Sequence, residues 1–186
     1  MFLPDETCPR WRLLCQALTP EETVEARALR DHAPYLEWIK AGHLRTNPGN
    51  RIDQDVVRDM VCAFGDQFAV QQIGVDPWNA GNLAKDLSDD GFEVIEVPQT
   101  MQQMSAPSKD FEADVLDGLI DAGGNPLMLW CASNVVVQRD NKDNIYPTKK
   151  KSRGRIDPII AALLGRKLAT MHEDDGPVED PVLVIA

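Results

Sequence analysis

The 186-residue chain has 30 acidic and 19 basic residues and a formal charge of −11, the wrong sign for coating nucleic acid by general electrostatics, so any DNA contact must be local. With 43% hydrophobic residues it can bury one sizeable core; its longest apolar runs, such as Ile159 to Leu164, fall far short of the roughly 20 residues of a membrane helix, and no basic-then-apolar leader follows Met1. The cysteines (Cys8, Cys15, Cys62, Cys131) form no C-x-x-C pair and the histidines (His32, His43, His172) show no ligand spacing, which argues against zinc and for free thiols in a reducing cytoplasm.

In chain order, Thr19-Pro20-Glu21-Glu22 predicts a helix start, with Thr19 as N-cap, Pro20 at the first helical position and the helix running to about Arg30. A short helix is expected from Pro34 to Ala41, ended by Gly42, followed by extended Leu44-Arg45-Thr46 and an Asn47-Pro48-Gly49-Asn50 turn. Asp53 is placed as N-cap of a helix whose apolar stripe is Val56, Val57, Met60 and Val61. Phe68 to Val75 predicts a buried strand ending at Asp76-Pro77. A helix opening at Asn79 turns Leu83 and Leu87 inward, and Phe92 to Val97 makes a second strand. Residues 68 to 97 therefore form a β-α-β unit, expected to be parallel.

Pro98 to Pro107 reads as a polar connection and Pro107 to Ile120 as a helix, closed by Gly123-Gly124-Asn125-Pro126. Leu127 to Ala132 is ambiguous between helix and strand, whereas Asn134 to Arg139 and Asn144 to Tyr146 predict a hairpin across residues 140–143. The last helix starts at Asp157-Pro158, with Asp157 as N-cap, and buries Ile159, Ile160, Leu163, Leu164 and Leu168. Residues 1–170 are thus expected to form the main domain and 171–186 an acidic flexible tail, in which Val182 to Ile185 can add an edge strand.

Two residues invite chemistry. Asp76 stands at the carboxyl end of a buried strand, where ligands of open α/β sheets gather, although an Asp-Pro pair there is also an ordinary turn. Asp157 is explained equally by helix capping. Two carboxylates brought within a few ångströms repel one another and call for a cation, which with oxygen ligands is Mg²⁺ or Mn²⁺. Such a centre suits phosphodiester cleavage. The sequence has no G-x-S-x-G, G-x-x-x-x-G-K-[ST] or H-E-x-x-H, so serine hydrolysis, ATP hydrolysis and zinc peptidase chemistry lack support. The one dense basic stretch, Lys149, Lys150, Lys151, Arg153 and Arg155, is either a DNA contact or a solvated loop. Trp38, Trp78 and Trp130 lie in apolar-periodic contexts and are expected in the core. Ser105 and Lys109 flank a helix start, where capping explains them as well as phosphate binding does.

A dozen short segments in order carry a resemblance. They include Phe2-Leu3-Pro4, Pro34-Tyr35-Leu36-Glu37-Trp38, Gly42-His43-Leu44, the run Thr46 to Asp53, and Val75-Asp76-Pro77-Trp78-Asn79. Met104 to Lys109, Gly124-Asn125-Pro126, Trp130, Ala132 to Val137, Lys149 to Ser152 and Arg155-Ile156-Asp157 continue it. Together these resemble the nuclease domain of tailed-phage terminase large subunits, to about residue 170.

The resemblance implies an α/β fold, an RNase H-like mixed sheet flanked by helices. It implies metal-dependent endonuclease cutting of concatemeric viral DNA with three acids and two Mg²⁺ or Mn²⁺ ions, in the host cytoplasm. Asp76 matches the second acid and Asp157 the third. The first acid, on an opening strand upstream of the segment resembling Phe2-Leu3-Pro4, has no match, nor does the ATPase domain, so there is no ATP site. The first strand is therefore expected to be missing, its neighbours to expose unpaired backbone, and cutting to be impaired; Asp53 and Asp5 are candidate substitutes. Implied partners are double-stranded viral DNA, the terminase small subunit, the portal and the ATPase portion of the large subunit, with no membrane. Two alternatives stand beside this reading: a catalytically silent packaging component of the same fold, and an acidic interaction domain unrelated to nucleic acid.

Overall fold

The computed structural model describes residues 2–4, 11–173 and 182–185. Short strands β1 (Phe2–Pro4), β2 (Trp11–Leu13) and β3 (Ala17–Pro20) lead through a 3₁₀ turn into helix α1 (Val24–Asp31). Helix α2 (Tyr35–Lys40), strand β4 (Leu44–Asn47), helix α3 (Gln54–Gly65), strand β5 (Gln72–Val75), helix α4 (Pro77–Asp89) and strand β6 (Val94–Glu96) follow. The second half consists of α5 (Met101–Leu116), β7 (Ile120–Asp121), α6 (Pro126–Ser133), β8 (Val137–Arg139), β9 (Ile145–Pro147), α7 (Asp157–Glu173) and β10 (Val182–Ile185).

Six strands make a mixed sheet in the order β6-β5-β10-β1-β2-β7. The β5-α4-β6 unit is parallel as expected, with Ile73 opposite Val94. Strand β10 is parallel to β5, Val184 opposite Gly74, and β1 runs antiparallel to both β10 and β2. The segment expected at an edge is therefore central, and it closes the gap anticipated beside β5. The expectation of unpaired backbone at that gap is overturned, because β10 supplies hydrogen-bonding edges to β5 on one side and β1 on the other. The predicted hairpin forms as β8 and β9, with Gln138 opposite Tyr146.

The local chemistry of helix starts explains most boundaries. Asp53 accepts from Asp55 N at 3.0 Å and caps α3; Asn125 accepts from Leu127 N at 3.0 Å and caps α6, with Pro126 in its first turn. Each satisfies amide groups that a helix leaves unpaired at its start. Thr19 does not cap a helix: it lies buried in β3, and α1 begins only at Val24, after the 3₁₀ turn. The strand ahead of Asp76 is shorter than expected, starting at Gln72 rather than Phe68. Helix α5 begins at Met101, capped by Thr100, and runs through Pro107. That proline offers no amide to the helix ladder; one residue on, the Ser108 hydroxyl donates to Met104 O at 2.6 Å.

Helix α7 holds the fold together. Ile160, Leu164 and Leu168 are fully buried, and the helix packs on α5, α6, β5, β1 and β10. Its Ile159 and Ala162 join a core with Leu13, Val24, Tyr35 and Trp38, while Leu163, Leu164 and Leu168 join Val97 and Met104. Burying each such aliphatic side chain contributes about 1.5–3 kcal/mol. Val61, Ile73, Val75, Leu83 and Leu87 form a third cluster, which fixes β5 between α3 and α4.

Candidate functional site

Asp76 follows β5 directly and is 6% exposed. Its backbone is extended, its Oδ1 accepts from Trp78 N at 3.2 Å, and Pro77 occupies the first turn, so Asp76 itself caps α4. The helix was expected to open three residues later, at Asn79. Gly81, at φ 45° and ψ −125°, breaks α4 after one turn, a conformation that side-chain-bearing residues rarely adopt. The turn held by Asp76 is thus separated from the part of α4 that buries Leu83 and Leu87.

Asp157 enters from the other side of the chain. Ile159 N and Ile160 N donate to Ile156 O at 2.9 and 3.0 Å, so Ile156 takes the capping position and Asp157 lies in the first turn of α7. This corrects the N-cap assignment, yet an acid there still complements the helix dipole. Lys149 Nζ lies 2.6 Å from Asp157 Oδ1, the two side chains being 43% and 38% exposed.

The two aspartates line one cavity of about 540 Å³. Lys149, Arg155 and Arg27 share its lining, and Val75, Leu83 and Trp130 are among its apolar walls. Of the predicted basic stretch, Lys149 and Arg155 belong to the lining, whereas Lys150, Lys151 and Arg153 are exposed away from it. Asp53 is an exposed cap outside the lining, although its neighbour Gln54 is part of it; Asp5 and Cys8 lie outside the described residues. The acidic run 174–181 does too. Arg27 was missed in the sequence because an arginine on an amphipathic helix carries no local mark of a cavity.

The electrostatics agree with this placement. Burial, and after it the negative charge of Asp76, raises the Tyr146 pKa above its ordinary value, which puts β9 within reach of Asp76. Burial pushes the Cys131 thiol up to about 12, with Cys15 and Asp157 adding to the effect. A thiol so placed stays neutral and is a poor nucleophile. Cys15, Cys62 and Cys131 are free. Burial also raises Tyr35, whose hydroxyl donates to Asp31 Oδ2 at 2.8 Å. The Arg30 guanidinium holds the Asp31 carboxyl below its ordinary value.

The aromatic expectations divide. Trp38 is 5% exposed and Trp130 packs against it with ring centroids 5.4 Å apart, so both belong to the core. Trp78 is 90% exposed, which overturns its assignment to the core: from α4 the cavity takes Ala80, just before the helix break, and Leu83, just after it. Ser105 is buried and its hydroxyl accepts from Ile145 N at 3.1 Å, a link between α5 and β9; Lys109 is exposed.

Two carboxylates, the donor type that hard divalent cations take, share the cavity lining, and one already holds a lysine ammonium. Among the described residues no group of three or more His, Cys, Asp or Glu is placed to hold an ion. The three-acid set is therefore not assembled by the described residues. Their helices include none long and apolar enough to cross a membrane.

The terminase large subunit of Enterobacteria phage HK97 is 32% identical over 87% of this chain, and protein YmfN of Escherichia coli K12 is 27% identical over 80%. The chain spans about a third of the length of each. The crystal structure of the HK97 bacteriophage large terminase superimposes with a TM-score of 0.76 at 30% identity, covering 82% of this chain and 32% of that one. Its mixed α/β architecture is shared, consistent with an RNase H-like fold. Residues 13–173 match the family described as the terminase large subunit, endonuclease domain, and the chain belongs to that family.

Proposed function

We propose that this chain is a divalent-metal-dependent DNA endonuclease that cuts concatemeric viral DNA during packaging, with Asp76 and Asp157 as the ligating carboxylates. The observation that carries the reading is their convergence, from β5 and α7, on one cavity that also presents Lys149 and Arg155. Those carboxylates would hold Mg²⁺ or Mn²⁺, which when bound polarises the scissile phosphate and favours attack by water. Lys149 and Arg155 offer positive charge to the DNA backbone in a chain that is otherwise strongly acidic, so the contact is local rather than diffuse. Lys150, Lys151 and Arg153 extend that charge along the same loop. Double-stranded viral DNA is then the substrate, the terminase small subunit, the portal and an ATPase portion are the partners, and the host cytoplasm is the place of action.

The test is plasmid cleavage in Mn²⁺ and Mg²⁺ by the chain beside Asp76→Asn and Asp157→Asn. An asparagine at 76 keeps the capping oxygen, so lost cutting at unchanged melting temperature reports the ligand role. The reading predicts a drop of more than about 100-fold for each; cutting retained in both variants overturns it. A second reading, a catalytically silent packaging component, is favoured by the lysine that already occupies Asp157. It predicts metal binding without cleavage.

A further inference from the structure

Three basic side chains line the cavity, and they reach it from distant parts of the chain: Arg27 from α1, Lys149 and Arg155 from the loop between β9 and α7. Lys149 is held by Asp157. Arg27 and Arg155 have no side-chain hydrogen bond or ion pair among the described residues.

For Arg27 this has a local cause. It lies four residues before Asp31 on α1, the spacing at which an arginine and an aspartate ordinarily pair across one helical turn. Asp31 is already filled: it accepts from Arg30 Nε at 2.7 Å, from Arg30 Nη2 at 2.9 Å and from the Tyr35 hydroxyl at 2.8 Å. Arg27 itself is half-buried, three residues after the buried Val24, on the flank of the face that α1 turns inward. Burial, and after it Asp31, raises the Tyr35 pKa, while the charges of Arg155 and Arg27 pull it back. Both guanidinium groups therefore act on one hydroxyl, although they come from different elements.

With 30 acids against 19 bases in the chain, two arginines left without an acid on one cavity are a local exception to its charge. A guanidinium presents its donors in a planar fork that matches two phosphate oxygens. Phosphate contacts of this kind fix the register of a nucleic acid on a protein without reading its sequence.

We infer, on the basis of the DNA-cleaving reading above, that Arg27 is a phosphate-binding residue which, with Arg155, holds the DNA backbone in the cavity shared with Asp76 and Asp157. Helix α1 then forms part of the DNA-binding face, and the two arginines position the strand without coordinating metal.

Binding of a short fluorescein-labelled DNA duplex to the full chain, in EDTA and between roughly 50 and 200 mM salt, tests this without cleavage or metal. Arg27→Gln and Arg155→Gln are each expected to weaken binding several-fold and to reduce the slope of log K against log salt by about 0.9, the loss of one phosphate contact. Arg27→Lys, which keeps the charge, is expected to keep the slope. Arg45→Gln changes the net charge equally at an exposed position outside the cavity lining and is expected to leave the slope as it is. Arg27→Gln behaving like Arg45→Gln, or Arg27→Lys losing as much slope as Arg27→Gln, overturns the inference and leaves the DNA-cleaving reading standing. A native chain that shows no salt-dependent duplex binding removes both.

Discussion

Arg166 Nε donates to Asp114 Oδ2 at 2.6 Å across the α5–α7 contact, with the two side chains only 10% and 11% exposed. Arg166 also donates to the Thr170 hydroxyl at 2.6 Å and places its guanidinium 5.6 Å from the centre of the Trp11 ring. One buried cation thus joins two helices and the edge region of the sheet.

Removing Asp114 takes the carboxylate partner away from a buried guanidinium. Asp114→Ala is expected to destabilise the chain by about 3–5 kcal/mol, while replacing both residues by aliphatic ones of similar volume costs far less. Chemical denaturation of the single and double variants distinguishes the two; equal losses would mean that packing, not charge, dominates here.

The tryptophans give a paired prediction. Trp38→Ala should cost about 3–5 kcal/mol, because the ring is buried against Tyr35 and Trp130. Trp78→Ala should change stability by no more than about 0.5 kcal/mol, as expected of an exposed side chain. A large loss for Trp78→Ala contradicts its placement on the surface.

Both tyrosines of the chain, Tyr35 and Tyr146, have pKa values raised in the folded state, burial being the first cause. Each therefore binds its proton more tightly folded than unfolded. Their contribution to stability is complete below the ordinary tyrosine value of about 10 and disappears as pH rises through the folded values. Tyrosinate absorbance should appear at higher pH in the native chain than in urea. Asp76→Asn should lower the Tyr146 transition and leave Tyr35 in place; an unmoved Tyr146 would place Asp76 farther away than the structure has it.

How much of this was legible in the sequence depended on whether the deciding chemistry was local. Asp53 was readable as a helix start because a cap is made within two residues of itself, whereas Asn125, which caps α6 in the same way, was read only as part of a turn closing the helix before it. The β8–β9 hairpin and the β5-α4-β6 unit were readable for the same reason, being closed by near neighbours. Thr19 and Trp78 misled because pairing with β4 decides the first and the Gly81 break decides the second. Pro107 misled because a proline marks a helix start more often than an interior. Asp76 and Asp157 were singled out one at a time, but their common cavity depends on β5 and α7 packing together, which no local pattern encodes. The central place of β10 was equally hidden: its apolar run of four residues was read as an edge strand, and nothing local says between which strands it pairs.

Strand β10 makes one more prediction. A proline at Val184 removes an amide from the interior of the sheet and is expected to lower the melting temperature by roughly 5 °C or more, with increased aggregation as β5 and β1 lose their shared neighbour. An unchanged, monomeric variant would show that the two halves of the sheet do not depend on it.

The register of β10 also sets an order of events. Phe2 is opposite Val182 and Val75 opposite Ile185, so the seam between β5-β6 and β1-β2-β7 closes only through contacts between distant parts of the chain. Each half can gather locally, but joining them requires a large loop to be brought together first, the slow kind of step in folding. On a ribosome the two halves must wait, each with a bare edge, until nearly the whole described sequence has been made.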